Sequence, residues 1–150
     1  MNKKKKYLLW FGFGLGLLII YIWACSTIYY NQEKYLFQHY KMNRDSVLNY
    51  PVPHEELYFQ TEKNVSIHGV IFRQPDSKGL VIINRGSGGF LKNYNPIDCL
   101  LYSKYQYDVF IYDYRGNGKS EGISTGKESL FTDLRTIYQH FAVIYGESRM

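Results

Sequence analysis

Two stretches that each end in a glycine-rich loop decide the fold: residues 80–89, LVIINRGSGG, and residues 107–122, YDVFIYDYRGNGKSEG. The first opens with the unbroken strand-like run 80–83, and the second contains a run of the same kind at 108–112. Such runs are typical of strands buried on both faces, which occur in parallel sheets flanked by helices. The sequence therefore predicts an α/β fold in which these two strands are parallel.

The segments before and between these strands fit the same class. Residues 57–61 and 65–72 are strand-like, and residues 62–64 form a turn between them. Alternation in the second strand predicts an antiparallel hairpin that is half exposed, with Ser66 and His68 on its solvent face. Residues 96–104 predict a crossover helix.

A final helix is indicated by apolar residues at helical spacing, which predict one buried stripe. They are Leu130, Leu134, Ile137, Phe141 and Ile144. Residues 125–128 fit a capping box at its start, and Gly146 fits its end.

The first thirty residues predict a transmembrane helix. No charged residue occurs between positions 7 and 32, and roughly 20 apolar residues suffice to cross a bilayer. Trp10 and Trp23 lie near the two ends, as in aromatic belts. Four lysines at 3–6 precede the segment, which predicts a cytoplasmic N-terminus with the remainder on the non-cytoplasmic side.

Other interpretations of this segment remain open. Residues 22–25 loosely resemble a lipobox, which would make Cys25 the anchor of a lipoprotein. A cleaved signal peptide is a further alternative, although no small-x-small cleavage site is evident. The glycines at 12, 14 and 16 favour helix packing over dinucleotide binding, because no strand precedes them.

These features predict four regions along the chain. Residues 1–6 form a basic N-terminus and residues 7–30 form the transmembrane helix or signal anchor. Residues 31–54 form a stalk or linker, and residues 55–150 form the α/β domain.

Composition excludes several classes of function. The 18 Lys and Arg residues against 13 Asp and Glu give a net charge of +5, but removing the four N-terminal lysines leaves 14 against 13. A nearly neutral body does not indicate a nucleic-acid partner. Two cysteines make no disulfide framework, and no Cys/His cluster indicates a metal. We expect no metal and no cofactor.

Two short motifs lie in the loop after the second strand. Residues 118–120 resemble the end of a phosphate-binding loop, but Asp113 stands where that motif needs a glycine. Ser120 lies in a Gly-x-Ser-x-Gly pattern, yet a nucleophile elbow sits directly between a strand and a helix. Ser120 follows its strand by about eight residues, so the sequence favours an ordinary loop serine.

Residues 85–89 follow the first strand directly. Glycines in this position let backbone N–H groups approach a ligand and stabilise a developing oxyanion. A flexible strand-to-helix connection is the alternative.

Together, the two quoted stretches resemble the N-terminal half of an α/β-hydrolase. More closely, they are similar to the membrane-anchored serine hydrolases of the BEM46-like and serine aminopeptidase-like group. The resemblance covers about residues 55–146. Its most specific part is the loop that contains Asp113, Tyr114, Arg115, Gly116, Gly118, Ser120 and Gly122.

The resemblance implies roles for individual residues. The oxyanion loop comprises Arg85, Gly86, Ser87, Gly88 and Gly89. Ser87 matches the position that donates a backbone N–H to the oxyanion hole. Arg85 replaces the histidine of the family motif, which makes the pocket more cationic. Asp113 and Arg115 match positions that brace the loop after the fourth strand.

The resemblance also implies that the catalytic serine, acid and histidine follow the next strand, after Met150. Residues 55–150 would then form an incomplete domain without its catalytic triad, inactive alone, with a sheet edge that a protein partner could cover. The alternatives are a short membrane-anchored interaction module, and a small esterase that uses Ser120 or Ser87.

Overall fold

The structure is a computed structural model that describes residues 2–36, 40–86, 88–95 and 97–150, with the backbone alone for 33–36 and 98–100. It contains two compact units: an N-terminal helix, and an α/β unit that contains the described residues from 40 onward.

The first unit is the helix α1, Lys3–Leu36. Its span Lys3–Gln32 is 30 residues long and apolar enough to cross a membrane. At 1.5 Å per residue this span is about 45 Å long, more than the roughly 30 Å of a hydrocarbon core. The predicted apolar helix is confirmed.

The second unit alternates strands and helices. Its elements are β1 (Glu55–Glu62), β2 (Val65–Phe72), β3 (Leu80–Ile83), α2 (Ile97–Ser103), β4 (Asp108–Tyr112) and α3 (Lys127–Tyr145), with short 3-10 turns at Leu91–Asn93 and Glu147–Arg149. Each predicted strand and helix is confirmed within a few residues.

The four strands form one sheet in the order β1-β2-β4-β3. The pairs β1–β2 and β2–β4 are antiparallel, whereas β3 and β4 are parallel and are connected through α2. This mixed sheet confirms the predicted α/β class with its antiparallel first hairpin. No other strand of the described part of the chain pairs with the outer edge of β3.

Both faces of the sheet carry a hydrophobic core. On one face, α3 packs Ile137, Phe141 and Tyr145 against the strands. On the other face, Val70, Val109 and Ile111 join Leu48 and Leu91 from outside the sheet.

The prediction that β2 has a solvent face is wrong. Seven of its eight residues are buried, and His68 is 0% exposed. The period-2 pattern is present, but the loop after β4 lies along β2 at Ser66 and His68. Glu121 N donates to Ser66 O, and the N–H groups of Ser66 and His68 donate to Glu121 Oε2 and Ser120 Oγ.

The buried stripe of α3 is also shifted from the prediction. The buried residues are Ser129, Asp133, Ile137, Phe141 and Tyr145. Ile144 is half exposed. Ser129 and Asp133 take core-facing positions because their side chains bond Gly126 O and Arg115.

The predicted capping box at residues 125–128 does not form. Gly126 is the N-cap, so the pattern begins one residue early. Ser129 instead bonds the start of α3: its Oγ accepts from Thr125 N at 3.1 Å and donates to Gly126 O at 2.8 Å. Gly146 ends the helix as predicted.

The segment expected to be a stalk, residues 31–54, is divided between the two units. Residues 31–36 continue α1, while residues 40–54 pack on the sheet. Leu48 is 3% exposed, and the Tyr50 hydroxyl donates to Leu91 O at 2.5 Å. A few apolar side chains in a polar segment suffice to attach it.

One close approach inside the sheet requires glycine. A Cβ on Gly69 would lie 2.3 Å from Cζ of Phe110, a ring that is fully buried.

We expect Gly69→Ala to lower the free energy of unfolding by about 1–3 kcal/mol, because an added methyl group forces a packed ring to move. Urea denaturation of the full chain in detergent measures it. Gly86→Ala is the control, since a Cβ there meets no atom within 4 Å. Equal effects of the two substitutions would contradict the packing of Phe110 on Gly69.

Candidate functional site

The candidate site lies at the carboxyl ends of β3 and β4, where two loops meet. We call residues 84–90 the glycine loop and residues 113–122 the strand-four loop. In a parallel α/β sheet, ligands bind at this edge of the strands. Ser87 lies outside the described residues, so its role as an oxyanion donor stays a prediction.

Asp113 connects the two loops. Its side chain is fully buried, and Oδ1 accepts hydrogen bonds from Arg85 Nη2 at 2.7 Å and from Leu91 N at 2.9 Å. Its own backbone N donates to His68 O at 2.9 Å. Asp113 therefore joins β2 through its backbone and both sides of the glycine loop through its carboxylate.

Arg85 belongs to the same cluster and differs from the expected cationic pocket. Only 6% of its side chain is exposed, and its charge is paired with Asp113. It also donates to Tyr112 O and to Gly89 O, both at 3.3 Å. The Arg85 guanidinium therefore bonds from the start of the glycine loop to Gly89 near its end, and so holds the two ends together.

Gly118 is the residue that lets the strand-four loop close around Asp113. It has φ of +53°, and a Cβ there would lie 1.9 Å from Asp113 Oδ2. Any other side chain would meet both backbone strain and a collision with the central carboxylate.

Ser120 has a structural role in this arrangement. It is 1% exposed; its Oγ donates to Asp113 O at 2.7 Å and accepts from His68 N at 2.9 Å. Because the hydroxyl is committed to two backbone groups, it does not have the exposure of a nucleophile.

A second charged cluster lies against the first. Glu56 Oε2 accepts from His68 Nε2 at 2.7 Å and from Lys119 Nζ at 2.5 Å. Burial alone would raise the pKa of Glu56, but the bonds from Lys119 and His68 lower it below its ordinary value. On its other side, His68 Nδ1 lies 3.9 Å from Asp113 Oδ2.

Arg115 fastens the strand-four loop to the rest of the unit. It makes a bidentate pair with Asp133 of α3 at 2.6 and 2.8 Å and reaches Glu62 of β1 at 2.6 Å. The hydrogen bonds that Arg115 donates to Asp133 raise the pKa of Arg115, ahead of a smaller opposing effect of burial. Arg115 therefore joins the strand-four loop to α3 and β1.

The remaining predicted residues lie around these clusters. Tyr114 donates its hydroxyl to Arg85 O at 2.6 Å. Gly116 and Gly122 have positive φ in the strand-four loop, as Gly89 has in the glycine loop. A Cβ added at Gly88 would meet no atom within 4 Å.

Sequence reasoning missed the Glu56–His68–Lys119 cluster. The alternation in β2 places His68 on a solvent face, and Lys119 lies in residues 118–120, which do not fit a phosphate-binding loop. Glu56 carries no signal of its own. A buried lysine that pairs across 63 residues leaves no local pattern in a single sequence.

A groove of about 430 Å³ lies beside the free edge of β3. Its lining residues are Leu80, Ile82, Asn84, Phe131, Leu134, Arg135, Tyr138 and Met150. It is mainly apolar and lies on the α3 face of the sheet. Among the described residues, no group of three or more His, Cys, Asp or Glu side chains could hold a metal ion.

The mixed sheet with its flanking helices is an α/β fold, and solved structures of an esterase share it. Two crystal forms of the Pyrococcus furiosus esterase Pf2001 match with TM-scores of 0.53 and 0.54. The identities are 24% and 23%; the matches cover 68% and 70% of this chain and 41% and 45% of the esterase. At these identities the likeness concerns the fold. No family model matches the chain.

Two curated proteins are similar in sequence. An uncharacterized membrane protein of Saccharomyces cerevisiae is 24% identical over 147 residues, which is 89% of this chain and 51% of the yeast protein. An uncharacterized protein of Acanthamoeba polyphaga mimivirus is 30% identical over 99 residues, or 63% and 32% of the two chains. The chain thus spans about half of the yeast protein and about a third of the mimivirus protein. The apolar helix α1 and the yeast membrane protein together support a membrane location.

The Arg85–Asp113 pair can be tested by a double-mutant cycle with Arg85→Met and Asp113→Asn. Breaking a buried pair from one side costs about 3–5 kcal/mol, so we expect each single change to destabilise the protein strongly. We expect the double variant to be less destabilised than the sum by about 1–3 kcal/mol, measured by urea denaturation.

Lys127→Gln is the matched control, because Lys127 makes an ion pair that is almost fully exposed. Its removal should change the free energy of unfolding by less than about 1 kcal/mol. Additive effects of the Arg85 and Asp113 changes would refute the coupling.

Glu56 gives a test by pH. Since its carboxyl has a lower pKa when folded, its contribution to stability is complete above the ordinary value of 4.5 and is lost as the pH falls through the folded value. We expect Glu56→Gln to reduce the loss of stability below pH 4.5, whereas Glu128→Gln, at an exposed position, leaves it unchanged. An identical acid profile in the wild type and Glu56→Gln would be the contrary result.

Proposed function

We propose that this chain supplies the membrane anchor and the first half of an α/β serine hydrolase domain, and that it is inactive alone. The intact domain would hydrolyse an ester, amide or peptide bond. The proposal follows the resemblance to BEM46-like and serine aminopeptidase-like membrane hydrolases. It includes a cytoplasmic N-terminus, with the domain on the non-cytoplasmic side; lipidation at Cys25 remains the alternative anchor.

The observation that carries this proposal is how the two ends of the glycine loop are attached at the carboxyl edge of the sheet. Arg85 donates to Gly89 O and to Asp113, and Asp113 also accepts from the Leu91 N–H, so both ends of the loop are held before a substrate arrives. Pre-organised donors stabilise the oxyanion of acyl transfer without reorganisation during the reaction.

The free edge of β3 supports a continuation of the sheet. In the resembling hydrolases, the nucleophile elbow follows the next strand. The apolar groove beside β3 would be covered by that strand and its helix. The yeast relative is about twice as long as the matched segment, which provides room for both.

A test compares the full chain alone with the same chain co-expressed with the remaining portion of the yeast relative. We expect the chain alone to react with neither a fluorophosphonate probe nor short-chain nitrophenyl esters, because acyl transfer needs a nucleophile and a base. The complemented sample should label a serine in the added portion.

Hydrolysis by the chain alone, lost in Ser120→Ala but retained in the neighbouring Ser124→Ala, would contradict the proposal. It would favour the small esterase instead.

A second candidate, an interaction module, is favoured by the groove itself. Phe131 and Tyr138 expose aromatic surface beside the outer edge of β3, the arrangement that β-strand addition uses. A protein partner would then pair with this edge of β3, and the complemented sample would remain without labelled serine.

A further inference from the structure

Residues 40–42 attach directly to the strand-four loop. Gly118 N donates to Tyr40 O at 2.6 Å, and Met42 N donates to Gly118 O at 2.8 Å. Lys41 and Gly118 thereby form a parallel bridge. Tyr40 N also donates to Asn117 Oδ1 at 3.1 Å.

This attachment contacts both loops of the candidate site. Lys41 Nζ donates to Ser120 O at 3.3 Å in the strand-four loop. The Tyr40 ring packs on Phe90, with centroids 5.7 Å apart, at the end of the glycine loop. Residues 40–42 are therefore fixed at the carboxyl edge of the sheet.

The tether between the apolar span of α1 and the carboxyl edge of the sheet is short. α1 ends at Leu36, and the four peptide units from there to Tyr40 span at most about 14 Å when fully extended. The helical turn from Gln32 to Leu36 adds about 6 Å. The tether between the end of the apolar span and Tyr40 is therefore at most about 20 Å long, whatever path the chain takes.

The exposed side chains at this edge have the chemistry of a membrane interface. Ile123, just after the strand-four loop, is 71% exposed, and Tyr40 is 46% exposed. Arg44 adds a guanidinium whose side chain is 61% exposed; it lies 3.9 Å from a Glu121 carboxylate oxygen and over the Tyr58 ring. Apolar, tyrosyl and basic groups together favour the headgroup region.

We infer that the glycine loop and the strand-four loop face the bilayer surface, and that the site takes its substrate from the membrane as an acyl ester of a lipid. The chemical step rests on the proposed function: water supplies OH to the acyl carbon and a proton to the departing alcohol as the C–O bond breaks. The short tether would select amphiphiles held in the bilayer over esters dissolved in water.

Proximity to the bilayer can be measured by lipid quenching on the full chain in phosphatidylcholine vesicles. Cys25 and Cys99 are replaced by alanine, and a fluorophore is attached at Ile123→Cys or, as the matched control, at Asp76→Cys. Asp76 is exposed in the turn between β2 and β3, at the opposite edge of the sheet. We expect a headgroup spin label to quench position 123 several-fold more strongly than position 76.

A flexible insertion provides the second arm. About 20 Gly/Ser residues placed after Leu36 add roughly 25 Å of reach and should remove most of the difference. Equal quenching at the two positions, or a difference that the insertion does not change, would overturn the inference.

The class of substrate is tested with a phosphatidylcholine that carries a diazirine beside its acyl ester. We expect cross-links in residues 84–95 and 113–124, and fewer after the insertion. Cross-links confined to α1 would refute supply from the bilayer.

Neither readout requires turnover, so the two proposals fail separately. Intact proximity without a labelled serine in the complemented protein would overturn the hydrolytic step alone. Hydrolysis without proximity would overturn the lipid supply alone.

Discussion

The carboxylate of Asp113 is the point on which the rest of the site depends. It is fully buried, and its charge is compensated by Arg85 and by the N–H of Leu91 rather than by water. A buried charge is tolerated only when its partners are fixed, so the loops that supply those partners are fixed as well. The absence of a side chain at Gly118 provides the space for this carboxylate.

Around this carboxylate, close polar contacts run from Lys119 through Glu56 and His68 to Asp113 and Arg85. These contacts connect β1, β2, the strand-four loop and the glycine loop. Such networks position loops at a cost in desolvation, so they favour a defined geometry over maximal stability. The attachment of residues 40–42 to the strand-four loop links that geometry to the end of the anchor.

The elements with strong local patterns could be predicted from the sequence. The apolar runs of β3 and β4 and the spacing in α3 identify those elements, and such runs predict parallel pairing because they are typical of parallel sheets. In the structure β4 is fully buried, whereas three of the four β3 residues are half-buried. The strand order could not be derived, because pairing between β2 and β4 depends on contacts about forty residues apart. Within the site, the importance of residues 113–122 came from the resemblance rather than from composition.

Two of the errors share one physical cause: polar residues that are buried because a distant partner satisfies them. His68 and Asp133 look like solvent-facing residues, yet Glu56 and Arg115 make their burial favourable. The polar, proline-ended composition of residues 40–54 indicates a linker, yet Leu48 and Tyr50 attach this segment to the sheet. Hydrophobic periodicity indicates which residues of an element face solvent when the element is considered alone. It does not indicate which distant segment packs on that face.

Amide hydrogen exchange at Leu91 tests most directly whether buried charge holds the glycine loop in place. Leu91 N donates to Asp113 Oδ1 from a turn that follows the loop and belongs to no strand. The account predicts that this amide exchanges as slowly as those of Val109 and Phe110 in the central strand. Exchange at the rate of an unprotected amide, in a chain whose sheet amides stay protected, would contradict it.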